Sequence, residues 1–79
     1  MHITAKDFKI IRRVYRLSLE EYALLLDIST SLASLIENGK RNLTDPIVKR
    51  LVRKFDLTPD KLARIREIND EFRVTPHNY

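Results

Sequence analysis

The sequence predicts an all-α protein, a compact bundle of five helices. Apolar residues recur at intervals of three and four, which is the spacing of one helix face and not of a strand. Residues that start helices stand immediately before several of these apolar runs. The chain has one glycine and three prolines, and so few turn-forming residues disfavour a β protein, which needs a tight turn between successive strands.

Length and composition restrict the classes of protein that remain. The 79 residues suit one small domain, which we expect over residues 1–72, with a flexible tail over residues 73–79. The absence of cysteine excludes a disulfide framework, a thiolate zinc site and a cysteine nucleophile. No apolar run approaches the roughly 18 residues that cross a membrane, and the N-terminal segment has no apolar signal core. We therefore expect a cytoplasmic protein.

The first two helices are predicted over residues 5–16 and 19–26. Each is preceded by a capping box, in which an N-cap Ser or Thr pairs with an acid three residues later: Thr4 with Asp7, and Ser18 with Glu21. The apolar stripe of helix 1 consists of Phe8, Ile11, Val14 and Tyr15. Helix 2 is short and is expected to bury Tyr22, Ala23 and Leu26.

Helix 3 is predicted over residues 30–37. Ser29 is a good N-cap for it, and Gly39 stands where a left-handed C-terminal cap is needed. Helices 2 and 3 are thus two capped helices joined by a short turn. Ala23 favours a close crossing, because two helices that meet at about 90–120° need a side chain without bulk at their contact. This pattern predicts a helix-turn-helix at helices 2 and 3.

Proline marks the beginning of the last two helices. Thr44 or Asp45 caps helix 4, with Pro46 at its first position, where a missing N–H does no harm. Its apolar face consists of Ile47, Val48, Leu51, Val52 and Phe55. Thr58 followed by proline repeats this start signal, and helix 5 is predicted over residues 59–72.

The segment from Leu17 to Arg41 resembles the lambda repressor/Cro-like helix-turn-helix family, often called the Xre type. The family pattern is an arginine, a Leu-Ser pair, an apolar residue before alanine, a turn, a serine-led recognition helix and a closing acidic, glycine and basic series. The matching residues are Arg12, Leu17, Ser18, Tyr22, Ala23, Ile28, Ser29, Ile36, Glu37, Gly39, Lys40 and Arg41. The likeness extends over about residues 6–65, because the stretch from Leu51 to Leu62 is similar to the family's fourth-to-fifth helix segment.

The resemblance implies that double-stranded DNA is the partner, with helix 3 in the major groove and helix 2 across the backbone. The base-reading residues that it implies are Thr30, Ser31, Ser34 and Leu35. Phosphates would be held near the positive N-terminus of helix 2 and by the loop after helix 3, and the residues concerned are Ser18, Lys40, Arg41 and Asn42. Arg12 and Glu37 match a family pair that ties helix 1 to the end of helix 3, and we assign this pair a structural role.

Several positions depart from the family pattern. Leu19 stands where glutamine often contacts the DNA backbone, and glycine is common at the positions of Arg16 and Asp27. Helix 3 carries no Gln, Asn, Arg or Lys that could make a bidentate base contact. Three leucines are instead expected near the DNA face: Leu19, Leu32 and Leu35. Either they are exposed together, or one or two of them turn into the core, and Leu32 is the first candidate for that. Since exposed apolar patches mark protein contacts, the alternative function is a protein-binding helix-turn-helix module that pairs with or antagonises another regulator.

The last helix carries a second candidate surface. Leu62, Ile65, Asn69 and Phe72 have the three-four-three spacing of a short coiled-coil seam with one polar position. This face would serve a homodimer or a regulatory protein partner. The same spacing is also that of an ordinary helix packed on the core, and both interpretations are open.

Catalytic and metal-binding patterns are lacking in the sequence. His2 and His77 stand near opposite ends of the chain, and Glu20 and Glu21 point to different sides of a helix because they are adjacent. We expect no catalytic residue, no metal and no cofactor. The predicted function is a small sequence-specific DNA-binding transcription regulator, similar to the repressors of phages and mobile elements.

Overall fold

The computed structural model describes residues 1–71, and in that range the chain forms five α-helices and no strand. The helices are α1 (Ala5–Val14), α2 (Leu19–Leu25), α3 (Thr30–Glu37), α4 (Asp45–Phe55) and α5 (Pro59–Glu71). The predicted all-α fold is therefore confirmed. The predicted end of the domain at Phe72 and the predicted tail over residues 73–79 lie outside the described residues. Among residues 1–71, no helix has the length and apolar character to cross a membrane.

Side-chain caps start the first three helices as predicted. The Thr4 hydroxyl accepts from the Asp7 amide at 3.1 Å, and the Asp7 carboxylate accepts from the Thr4 amide at 3.0 Å. Ser18 and Glu21 form the same reciprocal pair, at 3.0 and 2.8 Å. The Ser29 hydroxyl caps α3 by accepting from an amide of its first turn at 3.0 Å. These bonds satisfy amides that have no acceptor inside the helix.

Helix α4 begins one residue earlier than its proline signal predicted. Thr44 is the N-cap, but its side chain makes no capping hydrogen bond. Asp45 is the first helical residue, so Pro46 occupies the second position rather than the first. Proline is tolerated there because amides of the first turn have no intrahelical acceptor.

Four helices end at a residue with left-handed backbone, and only one of the four is glycine. These residues, with φ between +53° and +74°, are Arg16, Asp27, Gly39 and Asp56. Their conformation turns the chain off the helix axis. For this reason α1 ends at Val14 and not at residue 16, and α2 ends at Leu25 and not at residue 26.

The core is built around the buried ring of Tyr22. Its hydroxyl donates to the Phe8 carbonyl at 2.6 Å, and its ring lies 4.8 Å from that of Phe8 and 5.9 Å from that of Phe55. Burial raises the pKa of the Tyr22 phenol, so the hydroxyl keeps its proton at neutral pH and can donate it to the carbonyl. The other large side chains that are fully buried are Phe8, Ile11, Leu26, Ile36, Leu51 and Leu62.

Helix α5 belongs to this core through its apolar face, which corrects one prediction. Leu62 and Ile65 are only 2% and 4% exposed, so they are not available as the dimer or partner surface that their spacing allowed. The packed-helix interpretation is the correct one for these two residues. Asn69 is partly buried, and Phe72, the last member of the predicted seam, lies outside the described residues.

An ion pair adds a polar tie between α5 and the start of the chain. The Arg66 Nε and Nη2 atoms donate to the two carboxylate oxygens of Asp7 at 2.8 and 2.7 Å. The Asp7 side chain is nearly buried, while that of Arg66 is 46% exposed. The hydrogen bond from Arg66 lowers the pKa of Asp7 to about 2, with a smaller contribution from the Thr4 amide.

Candidate nucleic-acid interface

The predicted contact between Arg12 and Glu37 is present and joins α1 to the last residue of α3. Arg12 Nε donates to Glu37 Oε2 at 2.7 Å, and Nη2 donates to Oε1 at 3.1 Å. The third nitrogen, Nη1, donates to the Leu17 carbonyl at 3.1 Å. The Glu37 side chain is 6% exposed and that of Arg12 is 20% exposed. This bidentate ion pair orients α3 relative to α1. The hydrogen bond to Glu37 also raises the pKa of the Arg12 guanidinium.

Small residues and a left-handed turn bring α2 and α3 together. Ala23 and Ala33 are buried, one on each helix, and the two helices pack against each other. After α2, the Asp27 amide donates to the Leu24 carbonyl at 3.2 Å and the Ile28 amide donates to the Ala23 carbonyl at 3.0 Å. These two backbone hydrogen bonds together form a Schellman motif. Asp27 therefore supplies the left-handed conformation for which glycine is usual.

The four predicted base-reading residues lie along one face of α3, but they are not equally open. Thr30 and Ser31 are exposed in its first turn, whereas Ser34 and Leu35 are half-buried one turn later. The Ser34 hydroxyl also accepts from the Asn38 side-chain amide at 3.4 Å. The side chains of the first turn of α3 are thus open to solvent, and those of the second turn are less exposed.

Ser18 lies at the N-terminus of α2 as predicted, but Glu21 already uses part of its bonding capacity. Its amide donates to Glu21 Oε1, and its hydroxyl oxygen accepts from the Glu21 amide. The bond from the Ser18 backbone lowers the pKa of the Glu21 carboxyl. This carboxylate places a negative charge at the helix end where a phosphate was predicted. Ser18 keeps its hydroxyl proton as a donor.

The predicted phosphate-binding loop after α3 is held against that helix by its own backbone. The amides of Lys40 and Arg41 donate to the Leu35 carbonyl at 2.9 and 3.2 Å. Gly39 makes the turn with a φ of +74°. The side chains of Lys40, Arg41 and Asn42 are exposed. Two cationic side chains and one side-chain amide are therefore open to solvent at the end of the candidate reading helix.

The apolar surface near this face follows the alternative in which some of the leucines turn into the core. Leu32 packs against the core, and Leu19 and Leu35 are half-buried, so the three leucines do not form a fully exposed patch. The most exposed large apolar side chain of the described residues is Leu24 on α2, at 82%, and its neighbour Leu25 is 39% exposed. The order of apolar residues in α2 was a signal that the sequence offered for this exposure. The other apolar residues already fill the inward positions of the short helix, so two adjacent leucines are left facing solvent.

Within residues 1–71, no cluster of three or more His, Asp or Glu side chains is placed to hold a metal ion. The candidate interface consists mainly of polar and basic side chains. Its elements are the exposed start of α3, the exposed side chains of the loop after it and the ion pair that joins α3 to α1.

Comparison with protein families gives a match to the model described as helix-turn-helix, over residues 9–62. The match includes α2, α3, the loop after α3 and both residues of the Arg12–Glu37 pair. Neither the search of curated proteins nor the search of solved structures returned a match. Because the matched region is well over half of the 79 residues, the chain belongs to the Cro/C1-type helix-turn-helix family of DNA-binding regulators, the Xre or lambda repressor-like family.

Proposed function

We propose that this protein is a sequence-specific transcription regulator that inserts α3 into the major groove of double-stranded DNA. The observation that carries the proposal is the open first turn of α3, where Thr30 and Ser31 are exposed. The Arg12–Glu37 pair holds this helix from behind, and an exposed basic loop follows it. A helix presented in this way, with cations beside it, matches the docking geometry of helix-turn-helix proteins.

Charge supports a phosphate-facing role for the loop after α3. The whole chain carries a formal net charge of +4, and Lys40 and Arg41 place two of its cations next to the reading helix. Such contacts release counterions from DNA, so they set affinity and register but do not read sequence. The hydroxyl of Ser18 and the side chain of Asn42 add neutral donors to the same backbone contacts.

Base recognition would depend on short side chains. Thr30, Ser31 and Ser34 can each make a single hydrogen bond, and Leu35 can touch a thymine methyl group. Such contacts discriminate less than the roughly 1–3 kcal/mol of a good bidentate pair. The protein is therefore expected to prefer its operator modestly and to depend on phosphate contacts for much of its affinity.

A single helix-turn-helix unit reads one half-site weakly, so we also propose that the protein acts as a homodimer on a two-fold symmetric operator. Half-sites would then be about 34–36 Å apart, one turn of B-DNA. The dimer must use a surface other than Leu62 and Ile65, which are buried. By occlusion or recruitment at such an operator, the protein would act as a cytoplasmic regulator of the kind that phages and mobile elements carry.

A salt series of DNA-binding measurements tests the proposal. The wild-type protein selects duplexes from a randomised pool, and its affinity for the enriched duplex is measured by fluorescence anisotropy at increasing salt. Affinity should fall steeply, because log affinity decreases linearly with log salt. Arg41→Ala should weaken all duplexes alike and reduce the slope by about one, whereas Lys54→Ala, an exposed control on α4, should leave the slope nearer to the wild-type value.

Substitutions on α3 test the reading role. Ser31→Ala and Thr30→Ala should change which duplexes are enriched, with little effect on affinity for a scrambled duplex. If selection enriches no sequence and affinity does not depend on salt, DNA recognition by this face is excluded.

The exposed Leu24 supports a second candidate function, a module that binds another regulatory protein. An apolar side chain that is 82% exposed gains from burial against a partner. In this case Leu24→Ser would abolish the regulatory activity of the protein, while Arg41→Ala would leave that activity unchanged. The opposite pattern favours the DNA-binding proposal.

A further inference from the structure

An arginine of α4 holds the turn between α2 and α3. The Nη1 atom of Arg50 lies 3.2 Å from the carbonyl oxygen of Leu26 and 3.3 Å from that of Asp27, and it donates to both. These carbonyls follow the last helical residue of α2, where the chain turns through the left-handed Asp27. One side chain, at least 23 positions further along the chain, therefore connects the helix-turn-helix turn to α4.

The electrostatics of this turn explain why a cation is favourable there. The C-terminus of a helix is negative and leaves carbonyl groups without intrahelical donors. The last turn of α2 contains no basic residue, and the Schellman bonds reach only the carbonyls of Ala23 and Leu24. Arg50 supplies from α4 both the charge and the donor that the end of α2 lacks.

We propose that Arg50 is a positioning residue for DNA binding, because it sets the orientation of the helix-turn-helix unit relative to α4. The proposal rests on the proposed function. Bases would be read from α3, and phosphates would be held by the loop that leads from α3 into α4. Specific binding needs both sets of contacts on the same duplex. It therefore depends on the relative orientation of α3 and α4, which the loop connects.

Two other ties already restrain the unit, and each acts at a different place. The Arg12–Glu37 pair joins α3 to α1, and the loop amides bonded to the Leu35 carbonyl join the loop to α3. Arg50 gives α2 and the turn their polar tie to α4. Without it, the contact of α2 with α4 is left to apolar packing such as that of Tyr22 on Phe55, which fixes the orientation of the turn less strictly than a directed hydrogen bond.

Arg50→Met tests this role, since methionine retains much of the aliphatic length and removes every donor. The matched control is Arg53→Met on the same helix, since Arg53 is exposed as Arg50 is but makes no side-chain hydrogen bond within residues 1–71. Both variants lose one charge. Affinities are measured for the duplex that the wild-type protein enriches and for a scrambled duplex, over a range of salt concentrations.

The expected result separates positioning from a direct phosphate contact. Loss of hydrogen bonds from a charged donor should weaken binding to the enriched duplex by about five- to tenfold more in Arg50→Met than in Arg53→Met. Binding to the scrambled duplex and the salt slope should be the same in both variants. Arg50→Lys should recover part of the loss, because its ammonium can still donate to a carbonyl. A slope reduced by about one only in Arg50→Met would make Arg50 a phosphate contact and overturn the proposal, as would equal losses on both duplexes.

Hydrogen exchange tests the tie without DNA. In Arg50→Met, the amides of Asp27 and Ile28 should exchange at least several-fold faster than in the wild-type protein, while amides of α5 keep their rates. Unchanged exchange at these two amides would overturn the proposal even if DNA binding is lost. If instead the wild-type protein binds no duplex and the two amides do respond, the proposed function fails, and Arg50 remains the residue that orders the turn.

Discussion

At the scale of single residues, the unusual feature is the backbone at the helix ends. Left-handed backbone costs an L-residue with a Cβ roughly 1–2 kcal/mol, and glycine avoids this cost. Only one of the four left-handed ends carries glycine. Aspartate accepts this conformation better than most residues, so Asp27 and Asp56 are moderate departures. Arg16 has no such tendency and is the most strained of the four.

Arg16→Gly is therefore expected to stabilise the protein. The relief of left-handed strain exceeds the added entropy of glycine in the unfolded chain, and the free energy of unfolding should rise by about 0.5–1 kcal/mol. Urea unfolding followed by circular dichroism measures the change. The control is Arg13→Gly inside α1, which should lower stability by about 1 kcal/mol. A loss of stability in Arg16→Gly would mean that the arginine side chain contributes more than its backbone costs.

At the scale of elements, two buried or partly buried ion pairs connect helices that are distant in sequence. Arg12–Glu37 joins α1 to α3, and Asp7–Arg66 joins α1 to α5. Such pairs give little net stability compared with apolar replacements, but the loss of one partner leaves the other poorly compensated. We therefore expect these pairs to favour one packing of the helices more than they raise the total stability.

Removing one partner of the Arg12–Glu37 pair should be more damaging than removing both. Arg12→Met and Glu37→Leu alone should each lower the free energy of unfolding by about 2–3 kcal/mol, because an unpaired charge remains in a mostly enclosed site. The double variant should lose less than either single variant, because no unpaired charge remains in the site. Urea unfolding of all three variants forms a double-mutant cycle. Additive losses would contradict the coupling that the two short hydrogen bonds predict.

The Asp7–Arg66 pair predicts a fall in stability in acid. The folded-state pKa of Asp7, about 2, lies below the usual 3.8, so the unfolded chain binds the proton more tightly. The stabilisation is fully present above about pH 4 and is lost as the pH falls through about 2. Solvent around the half-exposed Arg66 weakens the interaction that lowers the pKa of Asp7. We therefore expect the free energy of unfolding to fall by about 1–2 kcal/mol.

Unfolding measured between pH 5 and pH 2 checks this dependence, with Arg66→Met as the comparison. The variant should be less stable near neutral pH and should have a flatter pH profile in acid, because its Asp7 titrates closer to the ordinary value. Parallel profiles for the two proteins would show that other carboxylates cause the acid loss.

At the scale of the whole molecule, a small core and a basic surface act together. A chain of this size buries only about 60% of its unfolded surface, so its stability is small. A ligand that binds only the folded state then has a large relative effect on stability. Duplex DNA is the ligand that the family and the charge of the chain point to.

Duplex DNA should raise the thermal midpoint of the protein, and salt should remove this effect. At a duplex concentration of about 100 times the Kd, binding adds about 2.7 kcal/mol, which is several degrees for a domain of this length. Differential scanning fluorimetry at low and high salt measures it, with Arg41→Ala as a weaker-binding comparison. An equal increase at both salt concentrations would contradict a phosphate-dependent interaction.

Local interactions explain which parts of the fold could be predicted. The bounds of α3, the capping pairs of Thr4 and Ser18, and the left-handed Gly39 follow from contacts between residues three to five positions apart, and these are visible as spacing in the chain. The Arg12–Glu37 contact spans 25 positions. It was predicted only because the family pattern brings two distant positions together.

The sequence by itself determined the class of fold and the helix-turn-helix, because capping and helical periodicity are local. The tertiary structure alone decided that Leu62 and Ile65 belong to the core, that Leu24 is exposed and that Arg50 reaches the carbonyls after α2. A helical spacing identifies a face, but the neighbouring helices decide what covers it. Bonds between residues 23 to 59 positions apart exist only once those helices have packed.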